Sequence, residues 1–345
     1  MKAVQLKSIN KIEIININKP FIKNEKDVLI KIKKVGICGS DIHYYKTGKI
    51  GNQIVKFPFI IGHEMSGVVE EIGSRVSRVK VNEKVAVDPL IYCNQCDQCK
   101  IGRYHTCRNQ IFLGCPGQME GCLKEYIILP ENCCYPVPLN ISFENAMLCE
   151  PISIGFYATS FANSLKGKKI GILGMGPIGL SVLLISKAFN TSKVYATDLL
   201  DYRLEIAKMQ GADWTGNPAK INCVKKILDL EKYQLDYVFE CCGKQEAVDQ
   251  GIMLLKPGGK LVIVGIPEFD NYFFNVHLMR RNEIVIQNVR RQNEYVDKTI
   301  ELLKNNIIDP AFMATHNFPL LETEKAFDLV ANYKDNVIKA VINID

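Results

Sequence analysis

Up to about residue 150, short β-branched runs at 27–31, 67–72, 83–87 and 125–129 are separated by glycine and proline. This is the pattern of an irregular, mostly β domain. From Lys168 the period changes. Apolar runs at 169–173, 193–197, 237–240 and 260–264 alternate with amphipathic stretches of helix length, which predicts βαβ units on a parallel sheet. From about Arg291 a helical stretch at 294–305 leads to Pro310 and a last strand-like run at 338–344, returning to the mixed character of the opening. No internal repeat or low-complexity linker interrupts the chain.

A chain of 345 residues, 47% hydrophobic and 23% charged, is long enough for two compact domains with cores of their own. No apolar run reaches the roughly eighteen residues a membrane helix needs, and Met1-Lys2-Ala3-Val4 is not followed by an apolar segment ahead of a small-residue cleavage site, so no secretory leader is expected. A cytoplasmic protein without a membrane partner is expected. The net charge of +6 is scattered in short clusters, such as Lys31, Lys33 and Lys34 or Arg280 and Arg281. A nucleic-acid partner, which would call for one concentrated basic face, is therefore not expected. Thirteen cysteines in such a chain point to thiolate metal sites rather than a disulfide framework.

The apolar run 169–173 is followed by Gly174, Met175, Gly176, Pro177, Ile178 and Gly179, then by a helix-like stretch at 180–189. Strand, GxGxxG turn and helix in this order form a dinucleotide-binding fingerprint. The first glycine permits the turn, the second lets backbone approach a pyrophosphate, and the third lets helix and strand pack closely. Asp198, nineteen residues past Gly179, suits the hydroxyls of an adenosine ribose and repels a 2′-phosphate. NAD rather than NADP is expected. Arg203 is placed to flank the adenosine, though a plain surface arginine fits equally well.

Cys93, Cys96, Cys99 and Cys107 form a CxxCxxCx7C array. Four thiolates saturate a tetrahedral zinc and leave no open position, so the expected role is structural, with chance clustering or an iron–sulfur ligand set as the other readings. His105, inside this lobe, reads as a solvated bystander. A second constellation is Cys38, in 36–41, with His63 and Glu64, in 62–67. A catalytic zinc needs few protein ligands and one open place, and a thiolate, an imidazole and a carboxylate meet that need. Taken singly each is ordinarily structural; their value lies in combination.

With these motifs in view, the sequence resembles the medium-chain zinc-dependent alcohol dehydrogenase family over essentially its whole length. Residues 62–76 look like that family's GHExxGxxxxxGxxV signature, and the thiol array looks like its structural lobe. The resemblance implies an α/β protein. A GroES-like, mostly β catalytic domain (1–151, lobe at about 90–108) would be followed by a Rossmann doubly wound parallel-sheet domain (152–290) and a return to the catalytic domain (291–345). It carries Cys38 and His63 over as catalytic zinc ligands. Where simple alcohol dehydrogenases have a second cysteine, this chain has Glu150, with Cys149 next to it as the alternative if the register slips by one.

That glutamate, with residues 36–51 reading GICGSDIHYYKTGKIG, is similar to the sorbitol-type polyol dehydrogenases of the family. By that resemblance Glu64 binds zinc, directly or from just behind the ligands, and Glu150 holds a zinc-bound water or the substrate. Tyr44 lies in the substrate pocket, and Arg291 contacts polyol hydroxyls. Gln292 stands where the group typically has tyrosine, which leaves the particular polyol open. Ser40 and His43 match positions that relay the alcohol proton in the wider family; a turn-capping hydroxyl and a surface histidine are the plainer readings. Two zinc ions per chain, NAD, and a homotetramer or homodimer joined through the Rossmann domains complete the expectation. The activity implied is oxidation of a secondary hydroxyl of a polyol to a ketose. Its rivals are a threonine 3-dehydrogenase or another secondary-alcohol dehydrogenase and, more remotely, a metal-stabilised nucleotide-binding protein without catalysis.

Overall fold

The computed structural model describes residues 1–344. The chain divides into two compact units, one formed by Met1–Glu150 together with the segment from Val296 onward, the other by Pro151–Tyr295. No helix among the described residues is long and apolar enough to cross a membrane.

The first unit is built on a seven-stranded sheet whose central strand is Asp27–Gly36. This strand pairs antiparallel with Glu64–Ile72, Tyr126–Pro130 and Lys339–Asn343. Beyond them lie Lys84–Val87, Cys134–Pro136 and Ala314–Pro319. The β-branched composition of the central strand explains its place: Val28, Ile30, Ile32 and Val35 are all fully buried, in one cluster with Ile127, Leu129, Phe327 and Ile342. Burying side chains of this size contributes about 1.5–3 kcal/mol each. The return segment thus adds a strand to the first sheet. Gly36 is opposite Glu64 on one side and Val341 on the other, so the chain leaving the strand at Ile37 and Cys38 starts beside both neighbours.

The second unit holds a six-stranded, all-parallel sheet. Its order is Trp214–Gly216, Lys193–Thr197, Lys169–Leu173, Leu235–Glu240, Leu255–Ile263, Val285–Asn288. Parallel strands covered on both faces need continuous apolar runs rather than alternation, and 169–173 and 193–197 fold with the bounds their apolar runs predict. The helix Pro177–Ala188 is buried without a break from Gly179 to Ser186, as a helix laid against a sheet centre must be. The strand order reverses between Lys169–Leu173 and Leu235–Glu240. In open parallel sheets a ligand crevice forms at such a switch point, outside the carboxyl ends of the strands.

Candidate functional site

Cys38 precedes the helix Gly39–Thr47, and His63 directly precedes the strand Glu64–Ile72. The donor atoms of Cys38, His63 and Glu64 all lie within 4.8 Å of one another. Asp41, fully buried in the first turn of that helix, ties the two loops together. Its Oδ2 accepts from the Cys38 backbone N–H at 3.0 Å, and its Oδ1 accepts from the Gly62 N–H at 3.2 Å. The same Oδ1 lies 3.7 Å from His63 Nδ1. Burial pushes the His63 pKa down, but the Asp41 carboxylate and the Cys38 sulfur outweigh it and raise it well above the ordinary value. A pocket whose acceptors favour positive charge on an imidazole equally favours a bound cation.

Glu150 lies in the helix Phe143–Ser160, just ahead of Pro151, and is 4% exposed. Its Oε2 has no hydrogen-bond partner among the described residues, and a buried carboxylate oxygen in that condition is costly unless it meets a cation or a donor. Burial is the largest influence on its pKa, His63 lowers it and Glu64 raises it, leaving it at about 7. Glu150 therefore shares the electrostatic field of the cluster. Cys149, the neighbour, is buried and donates its S–H to the Asn145 carbonyl in its own helix. The donor set of sulfur, imidazole and carboxylate fits a divalent transition-metal ion, and Glu150 is not among the donors that converge within 4.8 Å.

Ser40 and His43 are both partly exposed on the helix Gly39–Thr47, three residues apart and so on one face of it. Tyr44 is buried and donates its hydroxyl to Gln53 Oε1 at 3.1 Å. The sequence gives no signal for a further member, Lys339, whose ammonium donates to Glu64 Oε1 at 2.7 Å and Oε2 at 2.6 Å. It reaches the site only through the strand pairing of the return segment, 275 residues along the chain.

In the thiol lobe the sulfur separations are 3.5 Å for Cys93–Cys107, 3.6 Å for Cys96–Cys99, 3.9 Å for Cys96–Cys107 and 4.0 Å for Cys93–Cys99. A zinc tetrahedron with Zn–S bonds of about 2.3 Å has edges of about 3.8 Å, so the four sulfurs already outline it. Backbone N–H groups of Gln95 and Cys96 lower the Cys93 thiol to about 6, whereas burial raises Cys99 to about 12. Arg108 and Asp97 clamp the lobe through paired bonds of 2.5 and 2.8 Å. His105 is a correction to the sequence reading: it is buried, 3% exposed, rather than solvated.

In the second unit Gly174 has φ +97°, and a β-carbon there would sit 2.9 Å from that of Cys242. A β-carbon on Gly179 would collide with the Gly174 carbonyl. Gly176 caps the helix and Pro177 occupies its first turn, with Ile178 following. The backbone donors of this helix end are thus free of side-chain caps, as anion binding requires. Asp198 is buried at the end of the strand Lys193–Thr197. Its Oδ2 accepts from the Met175 N–H at 2.6 Å and its Oδ1 from the Leu200 N–H at 2.9 Å. Arg203 Nη1 lies 3.8 Å from Asp198 Oδ2, and the guanidinium comes within 3.5 Å of where a Gly176 β-carbon would be. Arg291 belongs to this unit, at φ +53°, and Gln292 is buried with its Oε1 accepting from the Tyr295 N–H at 2.8 Å.

Residues 24–139 match the Alcohol dehydrogenase GroES-like domain and residues 177–305 the Zinc-binding dehydrogenase domain. The chain belongs to the zinc-dependent medium-chain alcohol dehydrogenase family, whose members use zinc and a nicotinamide cofactor. Within it, the chain is similar to sorbitol dehydrogenase of Bacillus subtilis (strain 168), 36% identical over 99% of this chain and 97% of that protein. It is 33% identical to D-xylulose reductase of Saccharomyces cerevisiae, again over 99% and 97%. Among solved structures, an Escherichia coli oxidoreductase/dehydrogenase of unknown specificity superposes with a TM-score of 0.92 at 32% identity, covering 100% of this chain and 99% of that one. A zinc-binding dehydrogenase from Sinorhizobium meliloti 1021, bound to NADP, superposes with a TM-score of 0.90 at 26% identity over 99% and 98%.

Proposed function

We propose that this protein oxidises a secondary hydroxyl of a polyol to a ketose with NAD as hydride acceptor. The observation that carries the reading is the convergence of Cys38, His63 and Glu64 donor atoms within 4.8 Å. Cys38, His63 and Glu64 would hold the catalytic zinc, with Glu150 next to it, and the four thiols of the lobe would hold a second, structural ion. Bound zinc supplies a Lewis acid that eases loss of the alcohol proton, and the nicotinamide accepts the hydride.

The chain's own residues do the rest. Asp41 keeps the Cys38 and His63 loops in fixed relation, which is how a protein sets coordination geometry. Ser40 and His43, on one face of a partly exposed helix, carry the alcohol proton outward to solvent. Glu150, with a pKa of about 7, holds or releases a proton within the working range of the enzyme. Tyr44 and Glu150 would offer hydrogen bonds to substrate hydroxyls, which a simple apolar alcohol would leave unmet. The names of the relatives, sorbitol dehydrogenase and D-xylulose reductase, support the same substrate class.

For the cofactor, Gly174, Gly176, Pro177, Ile178 and Gly179 would receive the pyrophosphate. Asp198 commits Oδ2 to the Met175 N–H of the turn and Oδ1 to the Leu200 N–H, and keeps lone pairs for ribose hydroxyls. Its negative charge opposes a 2′-phosphate, which supports NAD. Arg203, alongside, would flank the adenosine. A homotetramer or homodimer in the cytoplasm suits this reading.

Steady-state assays with sorbitol, xylitol, L-threonine and 2-butanol, each with NAD and NADP, test it. The expected result is reduced cofactor with the sugar alcohols and a kcat/KM for NAD at least about a hundred-fold above NADP. Turnover confined to L-threonine or 2-butanol, or a preference for NADP, would overturn the corresponding half.

A further inference from the structure

Lys339 and Glu64 are each 1% exposed, and the ammonium has all three of its protons engaged. Two go to the Glu64 oxygens, at 2.7 and 2.6 Å, and the third to the Ile37 carbonyl at 3.1 Å, one residue before Cys38. The ammonium therefore has one orientation. Burial acts to lower the Lys339 pKa, but Glu64, Cys38 and Glu150 together outweigh it and raise it. Glu64 is thus claimed twice: its donor atom belongs to the cluster with Cys38 and His63, and both its oxygens belong to the ammonium. Cation and metal ion compete for the same charge at short range, where little water screens them.

We propose that Lys339 is a positioning residue of the metal site, holding Glu64 on its ammonium and so limiting how strongly that carboxylate binds the ion. The inference rests on the metal-site reading above. A lysine that merely tied the Ile37 loop to the return strand would support the site, so losing it would weaken metal binding. A lysine that competes for Glu64 does the opposite.

Zinc affinity at the catalytic site, measured by chelator competition, separates the two. In Lys339→Met we expect affinity to rise about ten-fold, because Glu64 loses its rival. The visible spectrum of the cobalt-substituted site should shift as the carboxylate joins the ion. Lys339→Arg should restore both towards the parent. In a Glu64→Gln background the Lys339→Met change should leave affinity within about two-fold. Affinity that is unchanged or weaker in Lys339→Met, with the cobalt spectrum unmoved, overturns the proposal. Should the metal-free variant fail to fold, the rise in Tm on adding zinc gives the same decision: a larger rise than in the parent supports competition, and an equal or smaller one refutes it. A parent protein that binds no ion at Cys38 and His63 would instead sink the metal-site reading itself.

Discussion

Glu150 shows most clearly how burial becomes chemistry. Burial raises its carboxyl, His63 pulls it back and Glu64 raises it again, so that it titrates at about 7 rather than at its ordinary 4.5. A carboxyl with a higher pKa in the folded chain binds its proton more tightly there. Its contribution to stability is complete below 4.5 and is lost as pH rises through about 7. In protein freed of its catalytic ion, stability should fall across that window by at most about 3 kcal/mol. Glu150→Gln, neutral throughout, should flatten the profile of Tm against pH. A parent and variant that differ by a constant amount at every pH would contradict this. Of the residues around Glu150, Cys38, His63 and Glu64 were legible because their motifs place soft and imidazole donors in glycine-rich segments. Lys339 was not, because a lysine in a C-terminal strand carries no local mark of the glutamate it will meet 275 residues away.

At the level of elements, the thiol lobe is a small fold held by its own donors. Its sulfurs stand 3.5–4.0 Å apart around a common centre, with the Arg108–Asp97 clamp outside. Cys99→Ser, at a buried thiol of the array, should remove about one zinc per chain and lower Tm while leaving NAD affinity unchanged. Unaltered zinc content in that variant would show that the lobe holds no ion. The same scale explains what could be read in advance. The strands Lys169–Leu173 and Lys193–Thr197 were legible to the residue, since buried parallel strands are continuous apolar runs between breakers. The strand Glu64–Ile72 begins three residues earlier than its β-branched run, because pairing with Asp27–Gly36, rather than apolar content, carries it to the metal site. The parallel pairing of Ala314–Pro319 with Lys339–Asn343 was not legible, as register between such short strands is set by tertiary neighbours.

Taken whole, the chain returns to its starting unit, and this return does functional work. The strand Lys339–Asn343 completes the sheet beside Asp27–Gly36 and in the same stroke delivers Lys339 to Glu64. The pattern showed a return to the mixed character of the opening, but that the last strand rejoins the first domain came only through family resemblance, since a five-residue apolar strand does not announce its partner. Everything proposed about reaction and substrate depends on an ion held between the Cys38 and His63 loops. Zinc analysis of the purified chain beside its Cys38→Ser and His63→Ala variants tests this most directly. The account predicts about two ions per chain in the parent and about one in either variant. The variants should keep NAD binding and lose dehydrogenase activity with the sugar alcohols. One ion in the parent, or two retained in both variants, would contradict it.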